Sequence, residues 1–315
     1  MKLLQIMKQP VIEIKGVTKK FGNFTALDNI DLKINENRCV GFLGPNGAGK
    51  TTLIKIITRL VLPSNGSVLV NGIDLSKNPK AALTSVGAVV ETPEFYSNMS
   101  PYEILYFFGS LRGIPKHSLD ERILKTLQMV GLDKWVRKKI GNFSKGMKQR
   151  LALASSLISD PMILILDEPT SGLDPRGSLE IRQIIKDLKN SGKTIFISSH
   201  ILSEIQEICD EIALIDKGKL IQHSDISNFE GKYSKIEISF LQDMDDSLLE
   251  KILKIEGVKS AEDKKNRMLL TFSGDKNKRA NLLKELQKTG LDLISFNPSN
   301  ELESLYMDNI SESVR

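Results

Sequence analysis

A chain of 315 residues with 40% hydrophobic and 26% charged residues has an ordinary globular balance and room for two domains, which excludes a disordered or collagen-like chain. Its 44 basic and 39 acidic residues leave a net charge of +5, spread without a long single-sign block. That is well short of the basic stripe of a nucleic-acid binder, so no nucleic acid is expected as partner. No apolar run approaches the roughly 18 residues of a membrane span. The opening MKLLQIMKQP lacks the apolar region and cleavage site of a secretory signal, so the expected compartment is the cytosol.

Residues 11–34 contain VIEIKGV and IDLKI, whose apolar residues alternate as in half-buried strands. CVGFLG follows as the continuous apolar run of a fully buried strand before a glycine loop. A helical block from about residue 100 to 158 then interrupts the strand pattern, which predicts an inserted subdomain over about residues 95–160. Its first helix is announced by Ser100 as N-cap, Pro101 at the first helical position and Glu103 completing a capping box. MILILDE, TIFISS and IALID, separated by helical patterns, predict a mostly parallel sheet covered by helices. Cys39 and Cys209 read as buried thiols, not as a disulfide or zinc ligands.

After Ile221 the polar HSDISNFEGKYS suits a linker between an α/β domain, residues 1–228, and a smaller one, residues 229–315. In the latter KIEISF, VKSAE, RMLLTF and LDLISF read as strands, and SLLEKILKI, NKRANLLKELQKT and ELESLYM as helices. The order βαββαβ predicts a small α+β ferredoxin-like sandwich, in which no catalytic motif is legible.

The chemistry lies in the first domain. GPNGAGKT at residues 44–51 is a G-x-x-x-x-G-K-[ST] phosphate loop, placed after a buried strand and before the helical pattern Leu53, Ile56, Ile57 and Leu60. Gly44, Gly47 and Gly49 let backbone N–H groups turn inward around phosphate oxygens, and the next helix aims its positive end at the same charge. Asn46, Ala48 and Thr52 complete the expected nucleotide-binding set, with Lys50 bridging the β- and γ-phosphates and the Thr51 hydroxyl ligating Mg²⁺. ILILDEP delivers Asp167 and Glu168 at the C-terminal end of a strand, where open α/β sheets bind ligands. Asp167 is expected to hold Mg²⁺ and Glu168 to orient or deprotonate the attacking water, so the expected reaction is hydrolysis of ATP.

FSKGMKQR at 143–150, DEPTSGLDP at 167–175 and SSH at 198–200, in this order after the phosphate loop, resemble the ATP-binding cassette (ABC) family over about residues 10–225. The set looks like the ATPase subunit of an ABC transporter, nearest the drug- and antibiotic-export type. The resemblance implies a P-loop cassette in which Ser144 and Gly146 reach the γ-phosphate bound by a second cassette. It also implies that Asp174 communicates across the dimer, that His200 hydrogen-bonds the γ-phosphate, and that Phe21 packs on adenine. One phosphate loop per chain makes a homodimer the simplest assembly. The implied membrane partner is a separate multi-spanning transmembrane permease, which would hold the chain peripherally on the cytoplasmic face of the cell membrane. A soluble ABC ATPase acting on ribosome or DNA is the alternative; those mostly carry two cassettes or a long coiled coil, and this sequence contains neither.

Two positions depart from the family pattern. Glu91, in GAVVETPEF, stands where the family usually has Gln and is expected to join Thr51 and Asp167 around Mg²⁺. Lys145 and Met147 replace the commoner Gly and Gln of the signature segment. Residues 95–108 hold six of the eighteen aromatic residues, in the region where the family docks its membrane partner. Phe95, Tyr96 and Asn98 are the expected contacts, and Tyr106, Phe107 and Phe108 the expected subdomain core. The small C-terminal domain resembles those appended to some exporter ATPases, which implies dimer contact or regulation.

Overall fold

The computed structural model describes residues 10–91, 94–229, 234–241, 246–263, 267–274 and 276–299. The predicted helix ELESLYM lies outside the described residues. The chain divides into two compact units, Met1–Ser224 and Asp225–Arg315.

In the first unit, β1 (Ile12–Phe21) and β2 (Phe24–Ile34) pair antiparallel, from Ile12 opposite Ile34 to Phe21 opposite Phe24. Alternation buries Ile12, Ile14 and Val17 of the one and Leu27, Ile30 and Leu32 of the other. β3 (Cys39–Leu43) is buried along its whole length, as its unbroken apolar run predicts. It feeds α1 (Lys50–Ile57), whose Leu53, Ile54, Ile56 and Ile57 are buried. β4 (Asn65–Val70) and β5 (Ile73–Asp74) complete an antiparallel sheet in the order β2-β1-β4-β5. A short α2 (Pro79–Ala82) leads to β6 (Val86–Val89).

The inserted helices are α3 (Pro101–Leu111), α4 (Lys116–Met129) and α5 (Lys145–Leu157). Ser100 caps α3 as predicted, its hydroxyl accepting from the Glu103 N–H while the Glu103 carboxylate accepts from the Ser100 N–H at 2.7 Å. The Ser100 hydroxyl bond, with the backbone N–H, holds the Glu103 carboxyl below the usual range. Ser100→Ala removes the cap and is expected to cost about 1 kcal/mol, read from urea unfolding of the chain.

The expectation that Tyr106, Phe107 and Phe108 all belong to the subdomain core is corrected here. Phe107 is 54% exposed and Phe108 37%, while Ile104, Leu105 and Gly109 are buried. Three consecutive residues span about 200° of a helix surface, so one core face cannot take them all.

β7 (Ile163–Asp167), α6 (Pro175–Asn190), β8 (Thr194–Ser199), α7 (Leu202–Ile208), β9 (Glu211–Asp216) and β10 (Lys219–Asp225) complete the unit. The second sheet runs β10-β9-β3-β8-β7-β6, with β9, β3, β8, β7 and β6 parallel. Residues of both sheets and of α1 share one core that includes Ile14, Val40, Ile54, Ile165 and Phe196. Each such side chain removed from water contributes about 1.5–3 kcal/mol.

The linker expected after Ile221 is also corrected. Residues 219–225 form strand β10 beside β9, and Ile226–Phe229 form a 3-10 turn. The strand is polar because it lies at the sheet edge and is not fully buried, so its sequence lacks the apolar signal.

On β9, Glu211 lies 2.6 Å from Arg38 Nε and 2.8 Å from His223 Nε2. The His223 contact, seconded by Arg38, holds the Glu211 carboxyl below its ordinary range, against an opposing effect of burial. A carboxyl depressed in the fold contributes stability above its unfolded pKa and loses it as pH falls through the folded value. Glu211→Gln should therefore flatten the acid limb of a melting-temperature profile below about pH 4.

The second unit contains β11 (Ser234–Phe240), α8 (Asp246–Leu253), β12 (Val258–Asp263), β13 (Arg267–Phe272), α9 (Lys276–Lys288) and β14 (Leu293–Ser299). Its sheet runs β12-β13-β11-β14 with every neighbouring pair antiparallel. This is the βαββαβ ferredoxin-like arrangement. Alternate residues Ile236, Ile238 and Phe240, with Met268, Leu270 and Phe272, pack with Ile252, Leu282 and Leu286 of the helices.

Candidate active site

Four adjacent parallel strands end side by side, and each end delivers a predicted functional segment. β3 leads into residues 44–51, β8 into His200, β7 into Asp167 and Glu168, and β6 towards Glu91, in the order β3-β8-β7-β6. Register fixes their level, with Leu43 opposite Ser199 and Asp167 opposite Ser198. This is the C-terminal edge at which open α/β sheets bind ligands.

The loop needs two of its glycines for distinct reasons. Gly49 has φ +108, a left-handed conformation costly for other residues, and a Cβ there would lie 2.8 Å from the Ala26 carbonyl. Gly44 approaches Ile215 so closely that a Cβ would lie 2.3 Å from its carbonyl oxygen. Lys50, at the start of α1, is buried, with Nζ 2.8 Å from the Gly44 carbonyl, 3.0 Å from that of Pro45 and 3.2 Å from Glu168 Oε1.

Glu168 is the centre of the arrangement. Its other carboxylate oxygen, Oε2, lies 3.2 Å from His200 Nδ1, so the carboxylate is shared between Lys50 and His200. Its backbone has φ +42, uncommon for a residue with a Cβ and typical of strain kept at functional positions. Ser198, to which the sequence reading assigned no role, helps hold that conformation. Its buried hydroxyl donates to Asp167 Oδ1 at 2.6 Å and accepts from the Glu168 N–H at 2.9 Å. The only sequence signal was its place in SSH, one strand away from DEP.

A second unforeseen group is the buried Glu204 of α7. It accepts from the Thr170 hydroxyl at 2.7 Å and the Ser199 hydroxyl at 3.3 Å, and its other oxygen lies 3.2 Å from Arg182 Nη1. The loop after Glu168 and the strand end before His200 are thereby tied to one carboxylate.

Thr51, Glu91, Asp167 and Glu168 line one cavity of about 740 Å³, with Lys145, Gln149 and Ser171. Glu91 is 62% exposed and its carboxylate is paired with Lys55 of α1. Lys145 therefore faces the cavity of its own chain. Phe21 is half exposed beside Gly22, with Lys19 Nζ 4.7 Å from its ring centroid.

Ser144, Gly146 and Asp174 do not line that cavity. Ser144 is the exposed N-cap of α5, its hydroxyl accepting from the Met147 N–H at 3.2 Å. Asp174 caps α6, accepting from the Gly177 N–H at 3.0 Å. Asn46 and Gly47 lie in the loop before α1, and Ala48 is buried in the core beside it; Thr52 follows Thr51 on α1.

The ABC transporter family profile matches residues 27–171. The bacitracin transport ATP-binding protein BcrA of Enterococcus faecalis is 41% identical over 234 residues, covering 73% of this chain and 75% of that protein. The chain belongs to the ABC transporter ATP-binding proteins. The lantibiotic transport ATP-binding protein SrtF of Streptococcus pyogenes is 41% identical to this ABC protein over 67% of its chain and 89% of the relative. A solved dimeric post-hydrolysis state of the cassette MJ0796, bound to ADP and Pi, superposes with a TM-score of 0.61 at 27% identity, covering 68% of this chain and 98% of that one. The fold is thus the ABC cassette, its ligand is ATP, and its reaction class is ATP hydrolysis. Among the described residues of this ABC ATPase no helix is long and apolar enough to cross a membrane.

Proposed function

We propose that this ABC ATPase powers an exporter, as a homodimer attached to the cytoplasmic face of a separate multi-spanning membrane subunit. The observation that carries the catalytic part is Glu168, held between Lys50 and His200 at the ends of three neighbouring strands. Bound ATP offers Lys50 phosphate oxygens in place of the Glu168 carboxylate, and the backbone N–H groups of residues 44–51 receive the remaining charge. Glu168 then accepts a proton as water attacks the γ-phosphorus. The bond to ADP breaks in line, and ADP and inorganic phosphate leave. His200 orients Glu168 and reaches the γ-phosphate beside it.

The donor set suits Mg²⁺, a hard cation that takes oxygen ligands and commonly combines one or two carboxylates with substrate phosphates. Among the described residues no three His, Cys, Asp or Glu side chains form a ready cage. Thr51 and Asp167 would hold the ion, with Glu91 joining, and its charge would offset that of the phosphates. Glu91 must first leave Lys55. Glu91→Gln is expected to raise the Mg²⁺ concentration needed for half-maximal binding of a non-hydrolysable ATP analogue by about threefold to tenfold, and Lys55→Met to lower it. Unchanged Mg²⁺ dependence in calorimetry of both variants contradicts the role of Glu91.

The dimer reading is supported by the position of Ser144 and Gly146 away from their own chain's cavity and by the dimeric solved neighbour. In this reading the N-terminus of α5 meets the γ-phosphate of the other copy, and Asp174 lies at the contact between copies. Phe21 stacks on adenine. The export reading is supported by relatives named for bacitracin and lantibiotic transport.

The docking surface for the membrane subunit is the aromatic side of the helical subdomain. Tyr96 is 75% exposed, and Tyr102, Tyr106 and Phe107 line a cavity of about 530 Å³. Phe95, Tyr96 and Asn98 border it in sequence. Tyr96→Ala combined with Phe107→Ala should leave the basal ATPase intact and abolish transport in cells expressing both subunits. Full transport by that variant overturns the docking surface.

A further inference from the structure

The unit Asp225–Arg315 takes no part in the chemistry above, yet its helices α8 and α9 border an open cleft of about 820 Å³. Five lysines line it: Lys251, Lys254, Lys278, Lys284 and Lys288. Among the described residues the lining carboxylates are two, Glu256 and Glu285, which pair with Lys278 at 3.3 Å and Lys288 at 2.7 Å. Lys254 reaches Glu250 at 3.6 Å, whereas Lys251 and Lys284 have no carboxylate within 4 Å among the described residues. The cleft therefore keeps an excess of positive charge in a concave place, where like charges repel and the field on an incoming anion is concentrated.

The type and spread of these groups narrow the ligand. Lysine ammonium groups are point charges with rotatable donors, able to meet phosphate oxygens from any direction, and several of them together favour an anion of high charge. Lys278 and Lys288 are ten residues apart on α9, about 15 Å along its axis. That span exceeds one phosphate and suits several in a row. Asn281 and Thr289 add neutral hydrogen-bonding groups, and Leu282 and Ile255 an apolar wall. Among the described residues no aromatic side chain lines the cleft, so they offer no platform for stacking of nucleic-acid bases.

We propose that this cleft binds an anion carrying several phosphate groups, free in solution or borne on a lipid headgroup. The test uses the full chain with Lys50→Ala, which disables the phosphate loop and leaves the cleft as the remaining polyphosphate site. Titration with inorganic tripolyphosphate in a calorimeter should show one binding event. Adding Lys251→Gln and Lys284→Gln should weaken it about tenfold without shifting the melting temperature. In parallel, vesicles containing cardiolipin are compared with vesicles of phosphatidylcholine alone by co-sedimentation. Cardiolipin-dependent sedimentation that tripolyphosphate displaces assigns the site to a headgroup, and tripolyphosphate binding without sedimentation assigns it to a free anion. Absence of both, or binding that the two substitutions leave unchanged, overturns the proposal.

Discussion

Glu168→Gln is expected to lower ATP turnover about 10³-fold while changing ATP affinity less than about threefold, the signature of a lost proton acceptor. Gln keeps the length of the side chain and the Ser198 bond to the residue-168 N–H. It cannot take a proton from water at neutral pH. Lys50 loses its ion pair but keeps the Gly44 and Pro45 carbonyls, so it stays aimed at the loop, and it no longer has to leave a carboxylate to meet phosphate. Single-turnover kinetics, with binding of a fluorescent ATP analogue measured separately, divides the two quantities. Turnover within tenfold of the unmodified chain would move the proton-accepting role to another group.

Glu204→Leu is expected to be strongly destabilising, at about 3–5 kcal/mol, because it removes the buried carboxylate of a largely buried ion pair and the acceptor of two hydroxyls. Leu leaves the Thr170 and Ser199 hydroxyls without their shared acceptor and Arg182 with Glu207 alone, 2.9 Å from its Nε. For a unit of this size that corresponds to a fall in melting temperature of roughly 6–20 °C. Glu204→Gln preserves an acceptor oxygen and should lose about half as much. Both variants should also slow turnover, since Thr170 follows Glu168 closely and Ser199 precedes His200. A melting temperature within 2 °C of the unmodified chain for the Leu variant would contradict this account.

The parts that were legible in the sequence are those encoded locally. The phosphate loop declares itself because its glycines, lysine and threonine must sit at fixed spacing within eight consecutive positions. The cap at Ser100, Pro101 and Glu103 needs only four residues, and the alternation in RMLLTF and KIEISF gives the C-terminal sheet because one face is buried. What could not be read joins residues far apart in the chain. Ser198 meets Asp167 across 31 positions, Glu204 meets Thr170 across 34, and Lys55 meets Glu91 across 36. None of these serines, glutamates or lysines differs in its own neighbourhood from a surface residue. β10 and the outward Phe107 and Phe108 were missed for the opposite reason. A polar edge strand resembles a loop, and a run of aromatics resembles core, until the neighbouring elements fix which side faces water.

The claim on which the rest depends is that ATP joins two copies of the chain through Ser144. Light scattering of the Glu168→Gln chain, with and without ATP in the absence of Mg²⁺, tests it most directly. The account predicts a shift from monomer to dimer on adding ATP, and loss of that shift when Ser144→Arg is added, with ATP still bound. A single mass with and without ATP, or a dimer indifferent to Ser144→Arg, would contradict it.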